Sequence, residues 1–298
     1  MSQESLRVIY FTSQGATATG MVVGLLRQLG HEVPLIVMTP GTERRPTFAY
    51  QDVTTNPPLP APLLVTDKMK QLPLMLSGLS PDLILVTGFP RLLPPEVLAL
   101  PRLGAINAHP ALLPAYRGPD PFFWQFYNGE PAIGLTFHRM DGSFDTGAIL
   151  AQGSAPIGPD DTPDDAMAHI LEIAPALLVS ALAKVIAGDP GTPQDPARAS
   201  YAPVPTLDDR TIDWTRTATQ IYNQVRACVG SGALATIGGE VHLVHAARLA
   251  PEFQTSGVEP GSLILTTESG SLVQTGDGAL LITDMEPVNA VDVVDAAE

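Results

Sequence analysis

The first part of the chain alternates short apolar runs with segments of helical periodicity. Leu6–Phe11 is a β-branched and aromatic run, and Glu32–Met38 is a second apolar run. Between them, Ala18–Leu29 carries apolar residues at helical spacing and stops at Gly30. The order of strand, helix and strand predicts the start of a parallel sheet, because a connection of this length is far too long for a hairpin.

The same alternation continues as far as residue 188. The further predicted elements are a strand and a helix within Leu63–Leu79, the strands Asp82–Thr87, Gly104–Ala108, Gly134–Arg139 and Ala148–Gln152, a short helix from Pro94 to Leu100, and a long helix Pro163–Ala187 with Thr162 as its N-cap. Tyr116–Trp124 is rich in Gly and Pro and is predicted to be a loop. Alternating strands and helices predict an α/β domain.

The character of the sequence changes after residue 188. Gly188–Pro205 is rich in Pro and is predicted to be an extended linker. One amphipathic helix follows at Ala218–Val229, and then come predicted short strands at Ala233–Ile237, Glu240–Leu249, Ser262–Thr267, Ser271–Gln274 and Ala279–Asp284. This pattern predicts a small antiparallel barrel or sandwich. We therefore expect one domain over residues 1–188, a linker over 189–206 and a second domain over 207–298.

Charge and cysteine content narrow the classes of function. The 298-residue chain carries 16 Lys and Arg residues against 31 Asp and Glu residues, a net charge of −15. Such a surface repels a phosphate backbone, so we expect no DNA partner and no general nucleic-acid binding. The single Cys228 excludes an internal disulfide framework and a Cys-rich zinc site.

The sequence also bears on location. The apolar run Val8–Thr12 is too short for the core of a signal peptide. Ile170–Gly188 is nearly all apolar, but it contains Glu172, Pro175 and Lys184, which favours a buried helix of a globular protein over a membrane span. These observations predict a soluble, cytoplasmic protein that does not bind a membrane.

Polar side chains follow several predicted strands, and ligands of an open parallel sheet bind outside the carboxyl ends of its strands. Thr12–Gly15 lacks the glycine spacing of a dinucleotide site and is interpreted as a plain turn. Asn107 and His109 are two residues apart in an extended segment, so they project to one face. An amide beside an imidazole suits attack on a carbonyl, because the amide can bind the oxyanion while the imidazole carries a proton.

Asp145 adds a carboxylate that could orient His109 or accept a proton from an attacking amine. Each of these signals also has a purely structural interpretation. Asn107 and His109 could cap the turn that follows their strand, and the sequence Asp145-Thr146-Gly147 is ordinary turn chemistry. From these residues alone the alternatives stay open.

Four other residues are interpreted as structural. His138 lies on a predicted strand and could line the pocket, but a packed or hydrogen-bonded histidine is favoured. His242 and His245 are three residues apart in a β-rich region and point to opposite faces, which disfavours a shared metal. Cys228 ends an apolar helix face and is expected in the core.

A long motif then gives a family resemblance. Residues 106–118 have the sequence INAHPALLPAYRG, and Trp124, Asn128-Gly129-Glu130, Gly134-Leu135-Thr136 and Asp145-Thr146-Gly147 follow. Together they closely resemble the signature of the 10-formyltetrahydrofolate-dependent formyltransferases. The resemblance implies a Rossmann-like parallel-sheet domain, 10-formyltetrahydrofolate as co-substrate, and no metal. It also implies a catalytic trio of Asn107, His109 and Asp145, in which Asn107 and a protonated His109 hold the oxyanion.

The resemblance extends to the folate pocket and to the second domain. Gly88–Pro94 is similar to the segment that lines the pterin pocket in the family, where main-chain groups bind the heterocycle. It implies folate contacts at Phe89, Arg91 and Leu93, with Met140, Asp141, Gly142, Ser143 and Phe144 on the other wall. Looser matches at Ser200–Pro203, Ile212–Trp214 and Thr275–Gly278 imply a small OB-like β-barrel domain.

The acceptor is the least determined part. Family members that formylate methionyl-tRNA and members that formylate amino-sugar nucleotides share these landmarks. The tRNA enzymes present cations in the second domain, whereas Ser200–Glu298 has four basic and 13 acidic residues here, and Pro40–Pro62 offers only Arg44 and Arg45. Charge therefore favours a small primary amine over tRNA, which stays the alternative.

The resemblance leaves two other functions open, a hydrolase and a non-catalytic folate-binding protein, and both are less favoured than a transferase. Some hydrolase relatives carry an apolar residue where this chain has Asn107, so a 10-formyltetrahydrofolate hydrolase is less favoured than a transferase. A non-catalytic folate-binding protein would have no need of all three catalytic groups. The sequence does not indicate the oligomeric state.

Overall fold

The computed structural model describes residues 4–40, 59–253 and 257–288, and the chain divides into two compact units. The first unit comprises Met1–Pro119, Gly134–Ala155 and His169–Tyr201, and the second comprises Asp120–Ile133, Pro156–Ala168 and Ala202–Glu298. Two short segments of the second unit therefore precede its long C-terminal segment in the sequence. The segment expected to be a linker, 189–206, is divided between the units at Tyr201, and its first part belongs to the unit that contains the predicted catalytic trio.

A seven-stranded sheet forms the centre of the first unit, in the order β3-β2-β1-β4-β5-β6-β7. Its strands are β1 (Arg7–Thr12), β2 (Glu32–Met38), β3 (Leu63–Val65), β4 (Leu83–Thr87), β5 (Ala105–His109), β6 (Ala132–Arg139) and β7 (Ile149–Pro156). The strands β1 to β5 are parallel, as predicted, but β6 runs antiparallel to β5. The expectation of a parallel sheet is therefore wrong at β6, because the chain re-enters the sheet at the end where β5 leaves it.

Helices connect the parallel strands, as expected for a Rossmann-like domain. They are α1 (Ala16–Gln28), α2 (Leu72–Leu76) and α3 (Pro95–Leu98), with 3₁₀ turns at Met69–Gln71 and Ser77–Leu79. One buried core cluster joins four strands to α2 and α3 through Ile9, Phe11, Val37, Leu72, Leu76, Ile84, Val86, Leu93, Val97 and Ala105. Ile9 and Phe11, like Ile84 and Val86, are two residues apart, so this cluster covers one face of the sheet.

The long helix α5 (Pro163–Ile186) was predicted within one residue of its observed end. Thr162 and Asp165 hydrogen-bond each other's main chain at its start, which confirms the predicted N-cap. By length and composition alone the helix could cross a membrane. Its buried residues recur at helical spacing, at Ala166, Ile170, Leu178, Ala181, Leu182 and Val185. The helix is therefore buried along one side, and the cytoplasmic location stays a prediction.

The second unit combines helices with a five-stranded antiparallel sheet. Its helices are α4 (Pro121–Tyr127), α6 (Leu207–Arg210) and α7 (Ala218–Ala227), and its strands are β8 (Ala233–Ile237), β9 (Glu240–Leu249), β10 (Leu263–Thr267), β11 (Gly270–Gln274) and β12 (Ala279–Pro287). The strand order is β10-β11-β12-β9-β8, and every neighbouring pair is antiparallel. The predicted antiparallel strands are confirmed, whereas the OB-like barrel is not.

The interpretation of Tyr116–Trp124 as a loop is wrong in its second half, because α4 begins at Pro121. Proline suits the first turn of a helix, where its missing N–H costs nothing. Phe123 then stacks on Tyr127 one turn later, with ring centroids 5.6 Å apart. This aromatic pair at helical spacing is the signal that the Gly and Pro content obscured.

Candidate active site

The carboxyl end of β5 presents two of the predicted catalytic residues. Asn107 and His109 lie two residues apart on this strand and share a face. The antiparallel β6 places His138 opposite Asn107 and Thr136 opposite His109. His109, Thr136 and His138 are all buried. The strand register thus gathers several polar side chains in an otherwise apolar sheet.

The carboxylate of Asp145 lies at the centre of these side chains. Its Oδ1 accepts a hydrogen bond from Nδ2 of Asn107 at 3.3 Å, and its Oδ2 accepts one from the main-chain N–H of Gly118 at 2.9 Å. Nδ1 of His109 is 3.5 Å from Oδ2, and Nε2 of His138 is 3.4 Å from Oδ1. The structure therefore brings Asn107, His109 and Asp145 into one cluster, together with His138.

Burial and hydrogen bonding oppose each other at Asp145. Burial alone would raise the pKa of its carboxyl, but the hydrogen bond with His138, the charge of His109 and the N–H of Gly118 outweigh burial and lower the pKa to about 2. Asp145 is therefore ionised at any physiological pH, and it acts as a fixed negative charge beside both histidines.

Both ring nitrogens of His109 face oxygen atoms. Its Nε2 lies 2.7 Å from the main-chain oxygen of Tyr116, and because a carbonyl can only accept, Nε2 carries a hydrogen. Nδ1 faces Asp145. Burial lowers the pKa of His109, and the charge of Asp145 offsets only part of this effect. The lowered pKa favours the neutral ring near pH 7 in the free protein, and the protonated His109 that the resemblance implies at the oxyanion stays a prediction.

His138 is a member of the cluster that was set aside on sequence grounds in favour of a structural role. Its Nδ1 donates to its neighbour's carbonyl, that of Arg139, at 2.8 Å. Its Nε2 lies 3.2 Å from Nδ2 of Asn107 and 3.4 Å from Oδ1 of Asp145. The residue is hydrogen-bonded, as interpreted, but its partner belongs to the predicted trio. Only the pairing of β6 with β5 reveals this, and a single sequence carries no direct signal of strand register.

Side chains of β6 and β7 fix the loop that follows β5. Thr136 Oγ1 donates to the oxygen of Ala111 at 2.6 Å and accepts from the N–H of Leu113 at 3.2 Å. Gln152 donates to the oxygen of Leu113 at 2.8 Å. The loop reaches Tyr116, whose φ of 58° is in the left-handed region, and then Gly118. These contacts place the carbonyl that binds His109 and the N–H that binds Asp145.

The loop between β6 and β7 carries Asp145 in the left-handed region, with φ at 56°. Asp and Asn tolerate this region better than other residues that carry a Cβ. Asp141 accepts hydrogen bonds from Ser143 N and Thr146 Oγ1, and so closes the turn. A Cβ at Gly147 would collide with the main-chain oxygen of Arg139. Glycine is therefore required for the close approach that brings Asp145 back toward β5.

We expect Gly147→Ala to destabilise the protein by about 3 kcal/mol or more, because the new methyl group meets backbone that cannot move aside. Gly142→Ala, in the same loop, is the matched control, since a Cβ there meets no atom within 4 Å. The measurement is the melting temperature of both variants. Equal melting temperatures would contradict the requirement for glycine at position 147.

The residues predicted to contact folate lie on two segments, after β4 and after β6. Phe89 and Met140 are partly buried against the core cluster of the first unit, and Phe89 meets Phe11 edge-on with ring centroids 5.3 Å apart. Leu93 belongs to that core and is 1% exposed, so only its main chain could reach a ligand. The exposed members are Arg91, Asp141, Gly142, Ser143 and Phe144. Their contact with folate stays a prediction.

The other candidate residues have local partners. Thr12 Oγ1 accepts from the N–H of Gln14 at 3.1 Å, in keeping with a plain turn. His245 lies 3.2 Å from Glu286. Burial raises the pKa of the Cys228 thiol to about 12, which leaves it unreactive. Among the described residues, no group of three or more His, Cys, Asp or Glu side chains could hold a metal ion.

Comparison with known proteins places this site in a family. A model described as formyl transferase matches residues 65–182, which contain the whole cluster, and one described as formyl transferase, C-terminal domain, matches residues 206–296. A methionyl-tRNA formyltransferase of Pelotomaculum thermopropionicum is 32% identical over 270 residues, which are 88% of this chain and 85% of that protein. The chain belongs to the formyltransferase family. The family resemblance stated from the sequence is thereby confirmed.

Other formyltransferases differ in how much of their length is matched. The methionyl-tRNA formyltransferase of Synechococcus sp. (strain JA-3-3Ab) is 38% identical over 214 residues, which are 70% of this chain but 66% of that protein, just under two thirds of its length. An N-formyltransferase from Helicobacter canadensis, solved with folinic acid and dTDP-3-aminofucose, has a TM-score of 0.67 and 17% identity over 93% of this chain and 99% of its own. At that identity the likeness shows the fold alone.

Proposed function

We propose that this formyltransferase moves the formyl group of 10-formyltetrahydrofolate to a small primary amine. Candidate acceptors are an amino sugar on a nucleotide and the amine of an amino acid or natural product. The observation that carries formyl transfer is the convergence of Asn107, His109 and Asp145, at the distances given above, in a chain of this family. The folinic acid in the Helicobacter canadensis neighbour supports a folate donor.

In the proposed reaction the neutral amine attacks the formyl carbon, and the formyl oxygen becomes an oxyanion. Asn107 donates a hydrogen bond to that oxyanion, where the charge develops. In the free protein Nδ2 of Asn107 lies within hydrogen-bond distance of His138 and of Asp145. One of these contacts is therefore exchanged for the oxyanion as the substrate reacts.

The proton of the attacking amine leaves through water toward Asp145. Asp145 does not keep this proton, because a carboxyl group with a pKa of about 2 is ionised near neutral pH. Nδ1 of His109 lies 3.5 Å from the carboxylate and, being unprotonated, can accept the proton. We infer that His109 becomes charged during the reaction rather than before it. The negative Asp145 then stabilises the imidazolium. Collapse of the intermediate breaks the bond between the formyl carbon and the folate nitrogen, which takes the proton back from the His109 imidazolium through water, and tetrahydrofolate leaves with His109 neutral again.

The choice of a small acceptor rests on charge. Ser200–Glu298 contains no Lys, and its four basic residues are all Arg. Two of them are engaged inside the second unit: Arg216 donates to the hydroxyl of Tyr127 at 2.7 Å, and Arg226 donates to the oxygen of Asp161 at 2.9 Å. Cations that contact phosphates supply much of the affinity for nucleic acid. This region therefore has few groups to offer an RNA. Arg44 and Arg45 lie outside the described residues.

Methionyl-tRNA is the second candidate acceptor. The methionyl-tRNA formyltransferases of Synechococcus and Pelotomaculum are the observation in its favour, at 38% and 32% identity. A formyltransferase that uses tRNA despite this charge would need a local basic surface, and its activity would fall steeply as salt is raised.

The experiment is a comparison of acceptors with 10-formyltetrahydrofolate as donor. We expect kcat/KM for at least one aminated sugar nucleotide or small amine to exceed that for methionyl-tRNA by about 100-fold, close to 3 kcal/mol of transition-state binding. Product is identified by mass, and formate release without acceptor is measured in parallel. Efficient turnover of methionyl-tRNA alone would overturn the small acceptor. Formate release without transfer would indicate a hydrolase, and folate binding without turnover a non-catalytic protein.

A further inference from the structure

A segment that sequence reasoning treats as a linker lies on the catalytic loops. Residues 189–201, which we call the strap, follow α5 and belong to the first unit. Thr192 and Ile149, the first residue of β7, exchange two main-chain hydrogen bonds, at 2.8 and 2.9 Å. The strap includes a 3₁₀ turn at Pro196–Arg198, and it contacts the β6–β7 loop that carries Asp145.

Gln194, in the middle of the strap, uses the whole capacity of its side-chain amide. Nε2 donates to the main-chain oxygens of Asp145 and Gly147, at 2.8 and 2.7 Å. Oε1 accepts two hydrogen bonds from Arg117, from Nε at 3.0 Å and from Nη2 at 2.7 Å. An amide has two donor hydrogens and two acceptor sites. The four contacts therefore leave this side chain one orientation.

These contacts join the two loops that hold the Asp145–His109 pair. On one side, Gln194 binds the carbonyl of Asp145, where the backbone is in the left-handed region and needs support from its surroundings. On the other side it binds Arg117, which stands between Tyr116 and Gly118. Tyr116 supplies the carbonyl on Nε2 of His109, and Gly118 supplies the N–H on the Asp145 carboxylate.

The end of the strap anchors the same loop a second time. Ser200 accepts hydrogen bonds from Tyr116 N on its Oγ, at 2.8 Å, and from Arg117 N on its main-chain oxygen, at 2.9 Å. Ser200 N donates to the oxygen of Pro114 at 3.3 Å. Of the strap residues named here, Gln194 alone contacts both the Asp145 loop and the Tyr116–Gly118 loop with its side chain.

We propose that Gln194 is a positioning residue of the formyltransferase reaction, which holds the carboxylate of Asp145 against His109 by tying their two loops together. Gln194 acts through Asp145, and the inference rests on the proposed function only for its kinetic readout. A misplacement of about 1 Å in a catalytic group costs up to about 100-fold in rate. Loss of the amide is therefore expected to lower kcat with little change in donor binding.

The test compares Gln194→Ala and Gln194→Glu with Asp195→Asn. Glu keeps an acceptor for Arg117 but sets a carboxylate against the two carbonyls. Asp195 lies in the same strap, and its Oδ1 caps Ala197 N, a contact that Asn preserves. We expect kcat to fall about 10- to 100-fold in both Gln194 variants, with the KM for donor within threefold, and to stay within twofold in Asp195→Asn. Activity is scaled to folded protein, and melting temperatures are recorded.

Two readouts separate positioning from a merely structural role. In the Asp145→Asn background, Gln194→Ala is expected to change kcat by less than about threefold, because a residue that acts through Asp145 has nothing left to position. An NMR titration of His109 is expected to give a lower pKa in Gln194→Ala, because the carboxylate whose charge raises that pKa is less well held. Unchanged kcat, or an equal loss in the Asp145→Asn background, would overturn the inference.

The titration of His109 tests the role of Gln194 independently of the proposed transfer to a small amine. It needs no acceptor, so a protein that transfers formyl to none of the amines tested would end the proposed function while the titration still decides the role of Gln194. A His109 pKa that is the same in the wild type and in Gln194→Ala would refute positioning whatever the reaction is.

Discussion

Replacement of Asp145 with Asn is expected to lower kcat about 1,000-fold, with a much smaller change in the KM for 10-formyltetrahydrofolate. The side chain keeps its size, so the loop should keep its shape. What is lost is the negative charge between His109 and His138, because the amide keeps only one oxygen acceptor, which can still serve the Gly118 N–H. Without that charge, the imidazolium that forms as the amine loses its proton has no counter-ion in a buried site.

The sign of the accompanying pKa change follows from the same geometry. Burial lowers the pKa of His109, and the charge of Asp145 is the main opposing effect. Removal of that charge should therefore lower the pKa of His109 further, which an NMR titration of the imidazole would measure. Asp164→Asn, an exposed substitution in the first turn of α5, is the control. Near-normal kcat in Asp145→Asn would show that the assigned role is wrong.

Replacement of Asn107 with Ala is the second large effect. We expect kcat to fall by about 100- to 1,000-fold, the usual result of removing one donor to an oxyanion. In the free protein Asn107 also donates to Asp145 and lies within hydrogen-bond distance of His138, so its loss removes a partner from both. The predicted folate contacts lie on other segments, so donor affinity measured by calorimetry should change little.

The products of Asn107→Ala are as informative as its rate. If Asn107 favours transfer over hydrolysis, the fraction of donor that ends as free formate should rise in the variant. Formate and formylated amine are measured in the same reaction. If Asn107→Ala keeps the wild-type kcat, Asn107 does not bind the oxyanion, whatever the ratio of formate to formylated amine.

Local patterns in the sequence predicted most of the helices and strands and placed Asn107 and His109 together in the site. Strand β2 at Glu32–Met38 and strand β9 at Glu240–Leu249 have the predicted bounds, because alternation and turn residues act over a few positions. Asn107 and His109 share a face for the same local reason. Asp145 was singled out as a carboxylate in a turn, and the family resemblance then joined it to Asn107 and His109, because no spacing rule links it to β5.

What the sequence left out depends on contacts between distant segments. The direction of β6, and with it the place of His138 opposite Asn107, is a matter of register rather than composition. Gln194 stands in a Pro-rich stretch whose composition resembles that of an ordinary tether, and only its hydrogen bonds to Asp145, Gly147 and Arg117 distinguish it. A closed barrel in the second domain was expected from the resemblance and is not confirmed.

The strap bears on how chimaeras of such enzymes should be built. A junction placed at Gly188, where the helical periodicity ends, would graft foreign residues onto the loops beside Asp145 and His109 while every residue of the trio stayed native. A crossover after Tyr201 would transplant the reaction centre together with its own brace. We therefore expect the junction that preserves activity to lie after Tyr201, thirteen residues beyond Gly188.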